Sequence, residues 1–268
     1  MPRVRLDALL SERGVFASRT RAAASVLAGE VMLGPERTRA SKPGQMVDED
    51  VIVGVREAPA FVSRGGVKLS NALDAFEVAV QGRSCLDVGA STGGFTDCLL
   101  KRGAARVIAL DVSYGQLDWG LRQDPRVTVI ERSNARALEP SQLPYAPSLA
   151  VIDVSFISIA KVLPAVLNCL AGAGGAYDCL AMIKPQFEVG RAGVGKGGVV
   201  RDPALRRSAL ESVAAAAASL GASVLGFASS GLPGPKGNRE TFVWLAEGGR
   251  AGALDRAGVE AAAQEVEP

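Results

Sequence analysis

Cys85-Leu86-Asp87-Val88-Gly89-Ala90-Ser91-Thr92-Gly93-Gly94-Phe95-Thr96 is the stretch on which the fold turns. Its first four residues form a short apolar run broken by one acid, the pattern of a buried strand. Gly89 then allows a sharp turn and close approach of the backbone to a ligand. Gly93-Gly94 lead into a helical pattern whose amino terminus offers unpaired N–H groups to an anion. The spacing Gly89-x-x-x-Gly93-Gly94 departs from the G-x-G-x-x-G of dinucleotide enzymes, where that anion is pyrophosphate. The other candidate anion is the methionine carboxylate of S-adenosylmethionine. Asp111 ends the next strand pattern, 22 residues after Gly89, where an acid can hold both ribose hydroxyls of an adenosine. Asn134, after the third strand pattern, is placed to touch the adenine. The expected cofactor residues are therefore Asp87, Gly89, Ala90, Ser91, Gly93, Gly94, Phe95, Asp111 and Asn134. Asp87 also has a second reading, as a structural carboxylate that orders the loop.

Outward from this turn the chain alternates. Strand patterns fall at 84–88, 107–111, 127–131, 150–154, 179–184, 223–228 and 241–246. Helical stretches at 94–102, 115–122, 157–170 and 203–220 separate most of them. That alternation implies a parallel sheet wound on both faces, an α/β Rossmann-like arrangement of seven strands. The last two strands are joined only by a Gly/Pro-rich loop, so they should form an antiparallel hairpin at one edge, with one reversed edge strand. Residues 247–268 read as a loose segment and a final Ala-rich helix.

Before residue 64 the pattern differs. Leu6, Leu9 and Leu10 mark one short helix, and Ser18 caps a second that ends at Gly29. Short strands follow at 31–33 and 51–55. The expected division is a small α+β domain at 1–57, a linker at 58–63 and the large domain at 64–268. Residues 1–43 carry eight Lys/Arg against four acids, whereas the chain as a whole has a net charge of only +2. A local basic region of this kind is either a nucleic-acid footprint or a solvated surface.

Other classes are disfavoured. The four cysteines form no C-x-x-C pair and each sits in an apolar pattern, so they read as small buried hydrophobes and not as a disulfide or metal framework. The amino terminus lacks a signal-peptide core. The longest uncharged stretch, 212–235, is interrupted by Gly and Pro and reads as helix, turn and strand, not as a bilayer span. The expectation is a cytoplasmic protein without a membrane or metal partner, a monomer or weak homodimer.

Lys68, Asp153, Lys184 and Glu240 each sit at the edge of an apolar run, and the fold would bring them to one rim of the sheet. The chain has no histidine, so a general base must be lysine or a carboxylate. This set suits removing a proton from a weakly acidic hydroxyl beside an activated methyl group. The expected roles are Lys184 as base, Asp153 and Lys68 positioning the hydroxyl and the base, and Glu240 holding a lysine. Phe156 could stack on a base swung out of its helix or pack in the core.

The motifs Val62-Ser-Arg-Gly-Gly-Val-Lys68-Leu, Leu86 to Thr96, Asp111-Val-Ser-Tyr-Gly-Gln-Leu117, Glu131-Arg-Ser-Asn-Ala-Arg136, Asp153-Val-Ser-Phe-Ile-Ser158, Ile183-Lys-Pro-Gln-Phe-Glu-Val-Gly190 and Gly237-Asn-Arg-Glu240 resemble the TlyA family of ribosomal RNA 2′-O-methyltransferases, some members of which are described as haemolysins. The resemblance runs from about residue 3 to residue 246. It implies a ribosomal-protein-S4-like RNA-binding domain joined to a Rossmann-like methyltransferase domain. The implied cofactor is S-adenosylmethionine, and the implied partner is ribosomal RNA within ribosomal subunits. The reaction would be methylation of a cytidine ribose in large-subunit and, in some members, small-subunit RNA. It carries the Lys-Asp-Lys-Glu tetrad onto Lys68, Asp153, Lys184 and Glu240. It also suggests Arg3, Arg5, Arg19, Lys42, Arg64, Arg132 and Arg136 as RNA contacts, to which the residue reading adds Phe156. The rival readings are a non-catalytic ribosome assembly factor, a small-molecule O-methyltransferase, and a membrane-active haemolysin. The last needs a spanning or strongly amphipathic segment that the sequence lacks.

Overall fold

The computed structural model describes residues 2–56, 59–172, 174–190 and 193–268. Backbone contacts divide the chain into two units, Met1–Pro59 and Ala60–Pro268. The linker expectation begins on Ala58, which lies outside the described residues. Its later part is held by the second unit: the Val62 N–H donates to Asp97 at 2.9 Å, and the Ser63 hydroxyl accepts from the Gly65 N–H at 3.3 Å.

The first unit runs β1 (Arg3–Arg5), α1 (Leu6–Glu12), α2 (Arg19–Ala28), β2 (Val31–Leu33), β3 (Thr38–Arg39), β4 (Met46–Asp48) and β5 (Val53–Val55). Ser18 caps α2 by accepting from the Arg21 N–H, and Gly29 ends it in a left-handed conformation, as the local signals implied. Leu6, Leu9, Leu10, Ala22, Val26, Val31, Ala40 and Val47 make its small core. Two strand pairings escaped the sequence reading, β1 with β4 and β3 with β2. Strands of two or three residues carry too little alternation to register as a period.

The second unit runs α3 (Arg64–Ala75), β6 (Ser84–Val88), α4 (Gly94–Lys101), β7 (Arg106–Leu110), α5 (Trp119–Gln123), β8 (Val127–Ile130), β9 (Leu149–Ile152), α6 (Leu163–Ala171), β10 (Asp178–Ile183), α7 (Pro185–Glu188), α8 (Pro203–Ser219), β11 (Ser223–Ser229), β12 (Thr241–Ala246) and α9 (Arg256–Val266). Seven strands form one sheet in the order β11-β12-β10-β9-β6-β7-β8. Neighbours among β8, β7, β6, β9 and β10 are parallel; β12 runs antiparallel to both β10 and β11. The seven-strand α/β fold and the β11–β12 hairpin agree with the sequence. The reversed strand does not lie at the edge, however: β12 is inserted between β10 and β11, and β11 is the edge strand. Thr241–Ala246 is buried at five of six positions, which suits an interior place.

Alternation along the strands splits the core between two faces. Leu86, Val88, Ile108, Leu110, Ala150, Ile152 and Ile183 belong to the layer that includes α6 and α8 residues. Cys85, Val107, Ala109, Val151, Leu180 and Met182 belong to the layer that includes α3 and α4 residues. All four cysteines are buried and free, and burial pushes the Cys85, Cys98 and Cys179 thiols up to about 12. The chain order reverses between β6 and β9, so a crevice opens at their carboxyl ends.

Candidate active site

The turn after β6 is shaped by that crevice. A Cβ on residue 89 would lie 2.4 Å from the Asp153 carbonyl oxygen, and φ there is +86°, so only glycine fits. Asp111 follows β7 and fastens the neighbouring loops. Its carboxylate accepts from the Ser91 N–H and the Ser113 N–H, both at 2.7 Å. Each carboxylate oxygen keeps a lone pair for a ligand hydroxyl. Gly89, Ser91, Asp111 and Asn134 line a cavity of about 510 Å³, with Val112, Gln116, Ile157 and Val162 among the other walls. That volume falls in the usual range for small-molecule sites. An acid, apolar walls and close backbone at a glycine turn are what a nucleoside with a methionyl arm needs.

The remaining cofactor candidates do not line this cavity. Asp87 is fully buried, and its Oδ2 accepts from the Thr96 hydroxyl at 2.7 Å while Oδ1 has no partner among the described residues. Its side chain shares the Cys85 face of β6, toward Thr96 of α4. The Thr96 bond matches the reading of Asp87 as a loop-ordering carboxylate. Burial, with smaller pushes from Asp153 and Asp111 and against the Thr96 hydroxyl, raises the Asp87 carboxyl to about 7. Ala90 and Phe95 are buried, and Phe95 packs 5.8 Å from the Phe242 ring. Gly93 is the left-handed residue before α4, and Gly94 opens that helix. These residues build the turn and leave the cavity wall to others.

The tetrad converges. Lys68 on α3, Asp153 after β9, Lys184 after β10 and Glu240 before β12 line one cavity of about 470 Å³. They form two ion pairs. Lys68 Nζ donates to Glu240 Oε2, and both groups are buried. Lys184 Nζ stands 2.6 Å from Asp153 Oδ1 and donates to the Ser155 hydroxyl at 2.8 Å. Glu240 therefore holds Lys68, and Asp153 faces Lys184. Asp153, Ser155 and Phe156 line both cavities, so the two sites share a wall.

Sequence reading missed Ser155, Gln186, Phe187, Lys236 and Asn238, which also line the second cavity. Ser155 and Gln186 lie within two of the quoted motifs, where adjacency to Asp153 and Lys184 was the available signal. Asn238 is a clamp: its Oδ1 accepts from the Val200 N–H at 2.9 Å and its Nδ2 donates to the Gly198 carbonyl at 2.8 Å. Glu188 holds the loop after β9, accepting from the Ser158 hydroxyl at 2.6 Å and the Ile159 N–H at 2.8 Å. Burial raises the Glu188 carboxyl above its usual range.

Phe156 resolves between its two readings. It is 91% exposed, with φ at +66°, so it does not pack in the core. Its ring lies 5.4 Å from that of Phe187. Arg136 lines the first cavity, Arg132 lies 4.4 Å over the Tyr114 ring, and Arg64 donates to the Pro233 carbonyl at 2.6 Å. In the first unit, Arg3 donates to the Met46 carbonyl at 2.7 Å and Lys42 is exposed. Arg5 and Arg19 reach Asp7 at 2.7 and 3.4 Å, so part of the local positive charge is internally paired. The Arg5 hydrogen bond holds the Asp7 carboxyl below its usual range.

A family model described as FtsJ-like methyltransferase matches residues 61–247. The 16S/23S rRNA (cytidine-2'-O)-methyltransferase TlyA of Mycobacterium tuberculosis is 50% identical over 245 residues, covering 91% of this chain and 90% of that one. Hemolysin A of Brachyspira hyodysenteriae is 42% identical over 192 residues, covering 71% and 78% of the two chains. A solved structure from Streptococcus thermophilus that carries a hemolysin label aligns with a TM-score of 0.73 at 38% identity, over 99% of this chain and 96% of that one. The chain belongs to the FtsJ-like methyltransferase family and, within it, to the TlyA family.

Proposed function

We propose that this protein transfers a methyl group from S-adenosylmethionine to the 2′ hydroxyl of a cytidine in ribosomal RNA. The observation that carries the reading is that Lys184, which lines the second cavity, pairs with Asp153 on the wall shared by two cavities, one suited to the donor and one to the acceptor. The donor, when bound, supplies a methyl group already activated by a sulfonium charge. Gly89, Ser91, Asp111 and Asn134 would hold it.

The chain's own residues then have defined tasks. Ser155 and Asp153 fix the Lys184 side chain at the rim. As the sugar oxygen attacks, the Lys184–Asp153 pair takes up its proton, with Lys184 as the base, which fulfils the need for one in a chain without histidine. Lys68, held by Glu240 in the same cavity, positions the hydroxyl. Alignment of oxygen, carbon and sulfur is the main requirement of such a displacement, and buried ion pairs supply rigid walls for it. Phe156 offers an exposed aromatic face to a displaced base. Arg64, Arg132 and Arg136 in the second unit, and Arg3, Arg5, Arg19 and Lys42 in the S4-like first unit, contact RNA phosphates; such contacts give affinity and register, not sequence.

Ribosomal RNA as substrate makes the cytoplasm the site of action. The hemolysin label of some relatives finds no spanning segment here: among the described residues no helix is long and apolar enough to cross a membrane. Mass spectrometry of ribosomal RNA from cells with and without the protein tests the proposal. A ribose-methylated cytidine should appear only with the protein, and identical maps would refute the reaction.

A further inference from the structure

Helix α9 and the residue after it lie beyond the 61–247 match, yet they reach the back of the catalytic rim. Glu267 is only 3% exposed. Its Oε2 accepts from Arg206 Nε at 2.6 Å, and Arg206 is itself buried. Its Oε1 accepts from the Thr241 hydroxyl at 3.3 Å. Arg239 Nη1 stands 3.6 Å from the same carboxylate, and Arg207 donates to the Glu267 carbonyl at 2.9 Å.

Residues 239 and 241 flank Glu240. Side chains alternate along extended backbone, so Arg239 and Thr241 face one way while Glu240 faces the other. The contacts agree: the two flanking side chains meet Glu267, and Glu240 meets Lys68. The same network reaches the neighbouring loop. Arg206 donates to the Arg201 carbonyl at 2.7 Å, next to Val200, which Asn238 clamps. Gly198, Asn238 and Glu240 all line the reaction cavity, whereas Glu267 lines neither cavity.

We propose that Glu267 is a positioning residue for methyl transfer. It fixes the Arg239–Glu240–Thr241 backbone from behind and so sets the aim of the Glu240 carboxylate at Lys68. This inference rests on the methyl-transfer function proposed above. The cofactor cavity is built from the loops after β6, β7, β8 and β9, so loss of Glu267 should spare cofactor binding.

The test compares Glu267→Ala, Glu267→Gln and Thr241→Val with wild type, using Glu260→Gln on the exposed side of α9 as control. The readouts are kcat and KM for ribosomal-subunit substrate, Kd for S-adenosylhomocysteine, and Tm. Glu267→Ala should lower kcat about tenfold or more, the scale of a displaced catalytic group, with Kd unchanged. Glu267→Gln, whose carbonyl oxygen still accepts from Arg206, should recover most of that loss. Thr241→Val should lower kcat roughly threefold, the scale of one neutral hydrogen bond. Glu260→Gln should behave as wild type. A folded Glu267→Ala protein with wild-type kcat would overturn the inference, as would parallel losses of kcat and cofactor affinity. If Glu267→Ala fails to fold, Thr241→Val decides, and an unchanged kcat there overturns it. Wild-type protein inactive on ribosomal subunits would refute the methyl-transfer function instead, a result distinct from any variant outcome.

Discussion

Replacing Asp87 with asparagine probes the base of the cofactor turn. In the folded protein the Asp87 carboxyl is raised to about 7, chiefly by burial, whereas an unfolded aspartate titrates near 4. Between those values the native state keeps a proton that the unfolded state has lost. Native protein then binds more protons, so stability falls as pH rises from about 4 to about 7 and levels off above. Below about pH 4 both states are protonated and the group contributes no slope. Between pH 5 and the folded value the difference is roughly two pH units, or about 3 kcal/mol. The substituted side chain cannot titrate. Its buried amide adds a constant offset, but no pH dependence. Urea unfolding of both proteins at pH 5, 6, 7 and 8 gives the free energies. The stability of Asp87→Asn relative to wild type should rise by about 3 kcal/mol from pH 5 to pH 8, most of it before pH 7. A difference that stays flat within about 0.5 kcal/mol would refute the reasoning and place the Asp87 titration outside this window.

Three further perturbations follow from the same geometry. Asp111→Ala removes the proposed ribose acceptor and the anchor for the Ser91 and Ser113 amides, so calorimetry should show S-adenosylhomocysteine affinity reduced about tenfold or more. Phe156→Ala should leave Tm unchanged, because the ring is exposed, while kcat/KM on ribosomal subunits falls by about 1–3 kcal/mol of lost stacking. An equal loss of Tm would mean that the ring is structural. Gly89→Ala forces a Cβ against the Asp153 carbonyl at positive φ, so Tm should fall by several degrees and cofactor binding should weaken with it.

Much of the site was legible because α/β folds place chemistry at strand ends. Asp111, Asp153 and Lys184 each follow an apolar run by one residue, and the structure sets all three at the carboxyl rim. Asp87 was legible only in part: its place on the Cys85 face follows from alternation, yet its motif also suggested ligand contact. The interior place of β12 could not be read locally, since a hairpin has the same sequence pattern whether its second strand ends at an edge or inserts beside β10. Helix α5 begins at Trp119 and not near 115, because Asp118 caps it by accepting from the Gly120 and Leu121 amides. Charge counting gave a basic first unit but not the Arg5–Asp7–Arg19 cluster, because pairing depends on three-dimensional proximity.

The central claim is that Lys184, which lines the second cavity and pairs with Asp153 on the wall common to both, serves methyl transfer and not the fold. Single-turnover transfer of labelled methyl from S-adenosylmethionine to ribosomal subunits, comparing wild type with Lys184→Ala, tests it most directly. The account predicts a rate lowered by about 10²–10⁴, the contribution of general-base catalysis, with cofactor affinity and Tm retained. A folded, cofactor-binding Lys184→Ala protein that transfers methyl at the wild-type rate would contradict it.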